Sequence, residues 1–166
     1  YFLSQELKLP VKEIKSLVLG GHGDSMVAMI NHTFIGKKKL MEFVEEGKLS
    51  QKKLKDIVDR TKNGGAEIVK FLQKGSAFYA PAASGVEMAE SYLKDLKKEL
   101  PCAAALNGEY GVKSLYAGVP VIIGKSGVEK IIEINLSKEE KNNFDISIKA
   151  VKDLYASAIK IDPYLK

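Results

Sequence analysis

The stretch Cys102–Leu136, CAAALNGEYGVKSLYAGVPVIIGKSGVEKIIEINL, decides the fold. It holds three short apolar runs, rich in β-branched residues: Cys102 to Leu106, Val119 to Ile123 and Ile131 to Leu136. Between them stand Asn107-Gly108-Glu109-Tyr110-Gly111 and Gly124-Lys125-Ser126-Gly127, clusters of the kind that turn a chain back on itself. Runs of this length divided by such turns predict adjacent antiparallel strands.

Helical signals lie on both sides of this block. After it, Ser137-Lys138-Glu139-Glu140 fits a capping box and opens a helix with apolar Phe144, Ile148, Val151, Leu154 and Tyr155. Before it, Val86, Met88, Ala89, Tyr92, Leu93 and Leu96 mark a helix from about Ala82 to Leu100, ended by Pro101. Further back, Ser50 is a good N-cap for Leu54, Ile57 and Val58, then Ile68, Val69 and Leu72. Gly64-Gly65 interrupts that run, and the reading is one helix with a closely packed centre. Leu40 to Val44 reads as a short helix closed by Gly47, and Tyr1 to Leu9 as the tail of a helix closed by Pro10. Leu17-Val18-Leu19 reads as a strand stopping at two glycines, with Met26 to Ile30 returning beside it. The fold class expected is α+β, long helices packed on a mostly antiparallel sheet, as a single domain over residues 1–166.

Composition narrows the function. The 166 residues carry a formal net charge of +5, but Arg60 is the sole arginine among 26 basic residues. Nucleic-acid readers lean on arginine for bidentate contacts, and here the lysines are spread and interleaved with glutamate, so a solvated surface is expected and no nucleic-acid partner. No stretch approaches the roughly 20 apolar residues of a membrane helix, and no membrane partner is expected. Cys102 has no second cysteine to pair with; it reads as a core filler, and the chain as cytoplasmic. Tyr1-Phe2-Leu3-Ser4-Gln5-Glu6 has no initiator methionine, basic leader or cleavage site, and reads as the middle of a helix whose beginning lies before Tyr1.

One segment carries chemistry: Val18-Leu19-Gly20-Gly21-His22-Gly23-Asp24-Ser25-Met26-Val27. A histidine framed by glycines at the end of an apolar strand can meet a substrate closely, and imidazole exchanges its proton near neutral pH. The residues alone leave two readings open, an acid/base histidine and an ordinary glycine turn. His32, without a glycine frame, reads as structural. No His/Cys/Asp group has metal-ligand spacing, so no metal is expected. Gly20-Gly21-His22-Gly23 lacks the spacing of a dinucleotide fingerprint.

The same segment resembles the active-site loop of the lactate/malate dehydrogenase family. So do three further blocks in order: Asp59–Val69, Lys74–Ala82, and Gly108–Gly111 with Tyr116–Val121. The resemblance is to the C-terminal, substrate-side half of the family. It implies that His22 is the proton acceptor and donor, that Ala77 and Pro81 line the substrate and nicotinamide pocket, and that Gly20, Gly21, Gly23 and Asp24 set loop geometry. It implies NAD as cofactor, held mainly by an N-terminal Rossmann domain absent from this chain, and malate and oxaloacetate as substrates. Gly21, where lactate enzymes tend to carry glutamate, and Met26 lean to malate; lactate or another 2-hydroxyacid is the alternative. A homo-oligomer, dimer or tetramer, is implied, with the long helix after Ser50 as a contact surface. The orienting aspartate and the carboxylate-clamping arginine of the family would stand ahead of Tyr1, and Arg60 does not replace them. The 166 residues alone are therefore expected to be inactive as a dehydrogenase. A rival of another class is a non-catalytic oligomerisation or interaction module. Ala28, where malate enzymes of the family usually have proline, and Met29–Phe34 depart from the family pattern.

Overall fold

The computed structural model describes residues 1–165. In chain order its helices and strands are α1 (Phe2–Leu7), β1 (Ile14–Lys15), β2 (Val18–Leu19), β3 (Val27–Ala28), β4 (Phe34–Ile35), β5 (Lys38–Lys39), α2 (Leu40–Glu45), α3 (Gln51–Lys62), α4 (Gly64–Leu72), α5 (Tyr79–Leu93), β6 (Lys98–Asn107), β7 (Lys113–Gly124), β8 (Gly127–Ile131) and α6 (Lys138–Ile161). They divide into two compact units. One holds Tyr1–Leu17 with Ala28–Ala77, the other Val18–Val27 with the residues from Phe78 onward. No helix among the described residues is long and apolar enough to cross a membrane.

In the first unit a small antiparallel sheet, β1-β4-β5, accompanies helices α1 to α4. Its core gathers Ile35, Leu40, Leu49, Leu54 and Ile57, with Phe2, Leu3, Met41 and Val58 packed against them. Ser50 caps α3 as expected, its hydroxyl accepting from the Lys53 amide at 3.1 Å. The expected single long helix is two helices. Asn63 stands between α3 and α4 with φ −93° and ψ 3°, and its side-chain amide donates to the Asp59 carbonyl at 2.9 Å. That bond competes with helix continuation, and two glycines follow with no side chain to favour it. Arg60 bridges the break. Its Nε and Nη2 donate to the two Glu67 carboxylate oxygens at 3.0 and 2.6 Å, and its guanidinium lies 4.4 Å from the centre of the Phe2 ring. The pairing holds the Glu67 carboxyl below its usual range.

The second unit is built on β6-β7-β8, antiparallel throughout. Along β6 the side chains alternate, with Cys102, Ala104 and Leu106 buried and Ala103, Ala105 and Asn107 exposed. That period of two is what a sheet with one covered face requires. Helices α5 and α6 contact β7. The Ser137 capping box forms as read: the Ser137 hydroxyl accepts from the Glu140 amide, and the Glu140 carboxylate accepts from the Ser137 amide. Phe144 and Ile148 are fully buried, whereas Leu154 and Tyr155, on the same expected face, are exposed.

Two boundaries differ from the sequence reading. The helix expected to reach Leu100 stops at Leu93. Leu96 N–H bonds the Ser91 carbonyl at 2.9 Å and Asp95 N–H the Tyr92 carbonyl, with Asp95 left-handed at φ 49°. This is a Schellman ending in which aspartate takes the place usually given to glycine. The Ser91 hydroxyl then donates to the Ile123 carbonyl at 2.7 Å and accepts from the Lys98 amide at 3.2 Å, so the chain joins the sheet four residues before the expected strand. Pro101 falls inside β6, an edge strand, where a missing N–H is tolerated. At the other end the third strand runs Gly127–Ile131, and Ile132 to Leu136 lies outside it. The Ile132 amide still bonds the Pro120 carbonyl of β7 at 2.8 Å, and from there the partner changes. Tyr110 donates its hydroxyl to the Ile132 carbonyl at 2.6 Å, accepts from the Ile134 amide at 3.1 Å, and gives its own N–H to the Glu133 carboxylate at 2.7 Å. Burial pushes the Tyr110 phenol up, so it stays a donor across the working pH range.

Removing that hydroxyl by Tyr110→Phe should strand the Ile134 amide and cost about 1–3 kcal/mol. Urea unfolding of the two chains measures it; an unchanged midpoint would show that the phenol contributes nothing.

Candidate active site

The glycine loop joins β2 to β3 and lies in the second unit up to Val27. Gly20 and Gly118 exchange backbone bonds, Gly20 N–H to the Gly118 carbonyl at 2.9 Å and the reverse at 2.8 Å. Gly20 has φ +88°, and a Cβ there would stand 2.2 Å from Ser147 Oγ. A Cβ on Gly118 would stand 2.8 Å from the Gly20 carbonyl oxygen. Glycine is therefore needed at Gly118 for the strand and loop backbones to meet, and at Gly20 for the loop to clear Ser147 on α6. Gly21 N–H donates to Ser147 Oγ at 2.8 Å. His22 follows in extended conformation, φ −86° and ψ 149°, and starts a single 3-10 turn over Gly23–Ser25 closed by Met26 N–H on the Gly23 carbonyl at 3.1 Å. The His22 side chain is exposed, as is Asp24. Gly23 has φ +82°, and nothing lies within 4 Å of where its Cβ would be, so the outer side of the loop is open.

Gly20, Gly21, His22, Gly23 and Asp24 thus form one structure, a backbone-fastened loop presenting an imidazole. Pro81 is exposed in the first turn of α5. Ala77 is half-buried at the end of the first unit. Among the described residues no three His, Cys, Asp or Glu side chains gather as metal ligands. Cys102 is buried in β6 and burial pushes its thiol up, which suits a packing residue.

The sequence reading missed Ser147. It is 1% exposed and sits on the apolar stripe of α6, three residues after Phe144 and four before Val151. A serine on a stripe of that kind was the available signal. Val151 was read as part of the stripe, but not as a neighbour of the loop: a Cβ on Gly21 would meet Val151 Cγ2 at 3.0 Å and Ser25 Oγ at 2.6 Å.

Residues 1–160 match the family model of the lactate/malate dehydrogenase alpha/beta C-terminal domain. The chain belongs to the lactate/malate dehydrogenase family. It is 63% identical over 164 residues to the malate dehydrogenase of Pelagibacter ubique (strain HTCC1062), which is 99% of this chain and 51% of that protein. The crystal structure of Cryptosporidium parvum malate dehydrogenase matches 92% of this chain and 49% of its own, with TM-score 0.90 and 44% identity. That of Eimeria maxima lactate dehydrogenase with NADH and oxamate matches 98% and 49%, with TM-score 0.94 and 36% identity. The chain spans about half the length of these relatives. The α+β fold with antiparallel sheets is that of the family's C-terminal domain.

Gly20→Ala and Gly23→Ala separate backbone strain from crowding. The left-handed backbone alone should cost about 1–2 kcal/mol at either position. At Gly20 the overlap with Ser147 adds on the order of 1–3 kcal/mol. Urea unfolding should rank Gly20→Ala well below Gly23→Ala; equal losses would mean that Ser147 moves aside freely.

Proposed function

We propose that these residues form the substrate side of a malate dehydrogenase, with His22 as its acid/base. The observation that carries the reading is the exposed imidazole on a loop whose main chain is fastened from behind and open in front. In malate oxidation an imidazole nitrogen of His22 accepts the hydroxyl proton as the carbonyl forms. In the reverse direction His22 donates that proton to the carbonyl oxygen of oxaloacetate. NAD, when bound, supplies the hydride acceptor. The side of the loop left open at Gly23 is where a small hydroxyacid would approach. The rest of a dinucleotide has no glycine-rich strand–helix turn to rest on among the described elements, and the family resemblance assigns it to another domain. The orienting carboxylate and anion clamp belong to the same expectation. Arg60, engaged with Glu67 and Phe2, is occupied as a structural brace. A single buried thiol suits the proposed cytoplasmic setting.

Malate is favoured over lactate by the crowding at Gly21. A glutamate at that position, the tendency of the lactate enzymes, would have to displace the Ser25 hydroxyl and the Val151 methyl. The 63% identity to a malate dehydrogenase supports the same choice. Self-association is part of the proposal: Phe71 in α4, and Val86 and Leu93 in α5, are large apolar side chains left in solvent.

The full-length protein should oxidise NADH with oxaloacetate, and His22→Asn should lower kcat/KM by about 10² to 10⁴. Turnover on pyruvate in place of oxaloacetate would keep the mechanism and change the substrate, and turnover that survives His22→Asn would remove the histidine from the chemistry. Sedimentation velocity of the same protein should give a dimer or tetramer, and a monomer at micromolar concentration would overturn the self-association.

A further inference from the structure

We infer that Ser147 is the positioning residue of the His22 loop, its buried hydroxyl fixing the main chain one residue before the imidazole. The inference rests on the acid/base reading of His22 and concerns how that histidine is held. His22 is exposed, so among the described residues it is the backbone at residues 21 to 23 that sets where its ring begins, whatever carboxylate orients the ring beyond that. The restraints on that backbone are few. The bridge to Gly118 fixes Gly20. The 3-10 turn fixes Gly23 to Met26, but it is local and would travel with the loop. The Ser25 hydroxyl reaches the His22 carbonyl only at 3.4 Å, on the exposed side. At Gly21 itself α6 adds the close approach of Val151 and the 2.8 Å bond from Gly21 N–H to Ser147 Oγ, the directional one, which ties the loop to a helix 126 residues further on.

Ser147 is suited to this. It is 1% exposed, so water does not compete for its oxygen. Phe144 and Ile148, both buried, flank it on α6 and fix the height of the helix against the sheet. The Gly20 backbone lies so close that a Cβ there would be 2.8 Å from Ser147 Cβ. A longer polar side chain would push the loop away, and alanine would leave the Gly21 amide without its acceptor. Serine is short enough for the gap and accepts the bond. The hydroxyl is buried behind the loop and acts through the main chain.

The test compares full-length wild type with Ser147→Ala and Ser147→Cys. Cysteine is somewhat larger than serine and a weak acceptor, and alanine is smaller and accepts nothing, so a change shared by both variants follows the hydrogen bond and not the packing. Amide hydrogen exchange at Gly21 and nuclear relaxation of the His22 ring are measured first. Steady-state oxaloacetate reduction follows, with NADH and with NADH deuterated at the transferred position. In both variants Gly21 should exchange about five- to tenfold faster, and the His22 ring should lose order. The same variants should show kcat reduced roughly 10- to 100-fold at unchanged KM for NADH. The deuterium isotope effect on kcat should rise, because a misplaced proton donor slows the chemical step. Unchanged Gly21 exchange in Ser147→Ala overturns the inference. So does wild-type kcat in Ser147→Cys, or a loss of kcat that only follows the folded fraction with the isotope effect unmoved. Failure of the wild type to turn over oxaloacetate or pyruvate overturns the acid/base reading instead; faster Gly21 exchange and a less ordered His22 ring in both variants then still establish the positioning.

Discussion

Two backbone hydrogen bonds, exchanged between Gly20 and Gly118, fasten the histidine loop to the middle of β7. They need a residue without a Cβ at Gly118, where one would stand 2.8 Å from the Gly20 carbonyl oxygen, while Gly20 must lack one to clear Ser147. β7 is the central strand of its sheet, paired on both sides and buried along Val119 to Val121, so it is among the stiffest parts of its unit. The loop inherits that stiffness at Gly20. Helix α6 adds a second point of reference at Gly21, and its own position is set by the Ser137 capping box at one end and by Phe144 and Ile148 against the core. An exposed imidazole is in this way given a fixed origin on the main chain without being buried.

Much of this was legible in the sequence wherever a local rule had a single outcome. Ser50 and Ser137 are caps whose partners lie three residues away, so pattern and structure coincide. The strands around Cys102 and Val119 show alternation or continuous apolar runs that only a sheet satisfies. The misread boundaries have other causes. Asp95 and Lys97 adopt φ 49° and 53°, a conformation that glycine signals in a sequence and that aspartate and lysine do not. Asn63 ends α3 with its own side chain, whereas the eye is drawn to Gly64-Gly65 beside it. Residues 132 to 136 read as a strand because they are apolar, yet after the Ile132 amide bonds Pro120 of β7, the Ile132 carbonyl and the Ile134 amide are claimed by Tyr110, more than twenty residues earlier. Tertiary partners of this kind outvote local propensity.

The site divides along the same line. His22 and its glycines are contiguous, so their shared loop could be read directly. Ser147 and Gly118 come from distant segments, and only the folded chain brings them to the loop. Arg60 shows the converse case. A lone arginine invites a functional reading, but it spans the break between α3 and α4 to Glu67 and covers Phe2, contacts that no spacing rule would have paired.

Cys102 has a use that follows from its position. It is the only thiol in the chain, it faces the core from β6, and burial disfavours its thiolate. A thiol reagent in solution can reach it only when β6 lifts from its neighbours. The rate of that modification is therefore a clock for opening of the sheet on which the histidine loop depends, readable by mass without any engineered label.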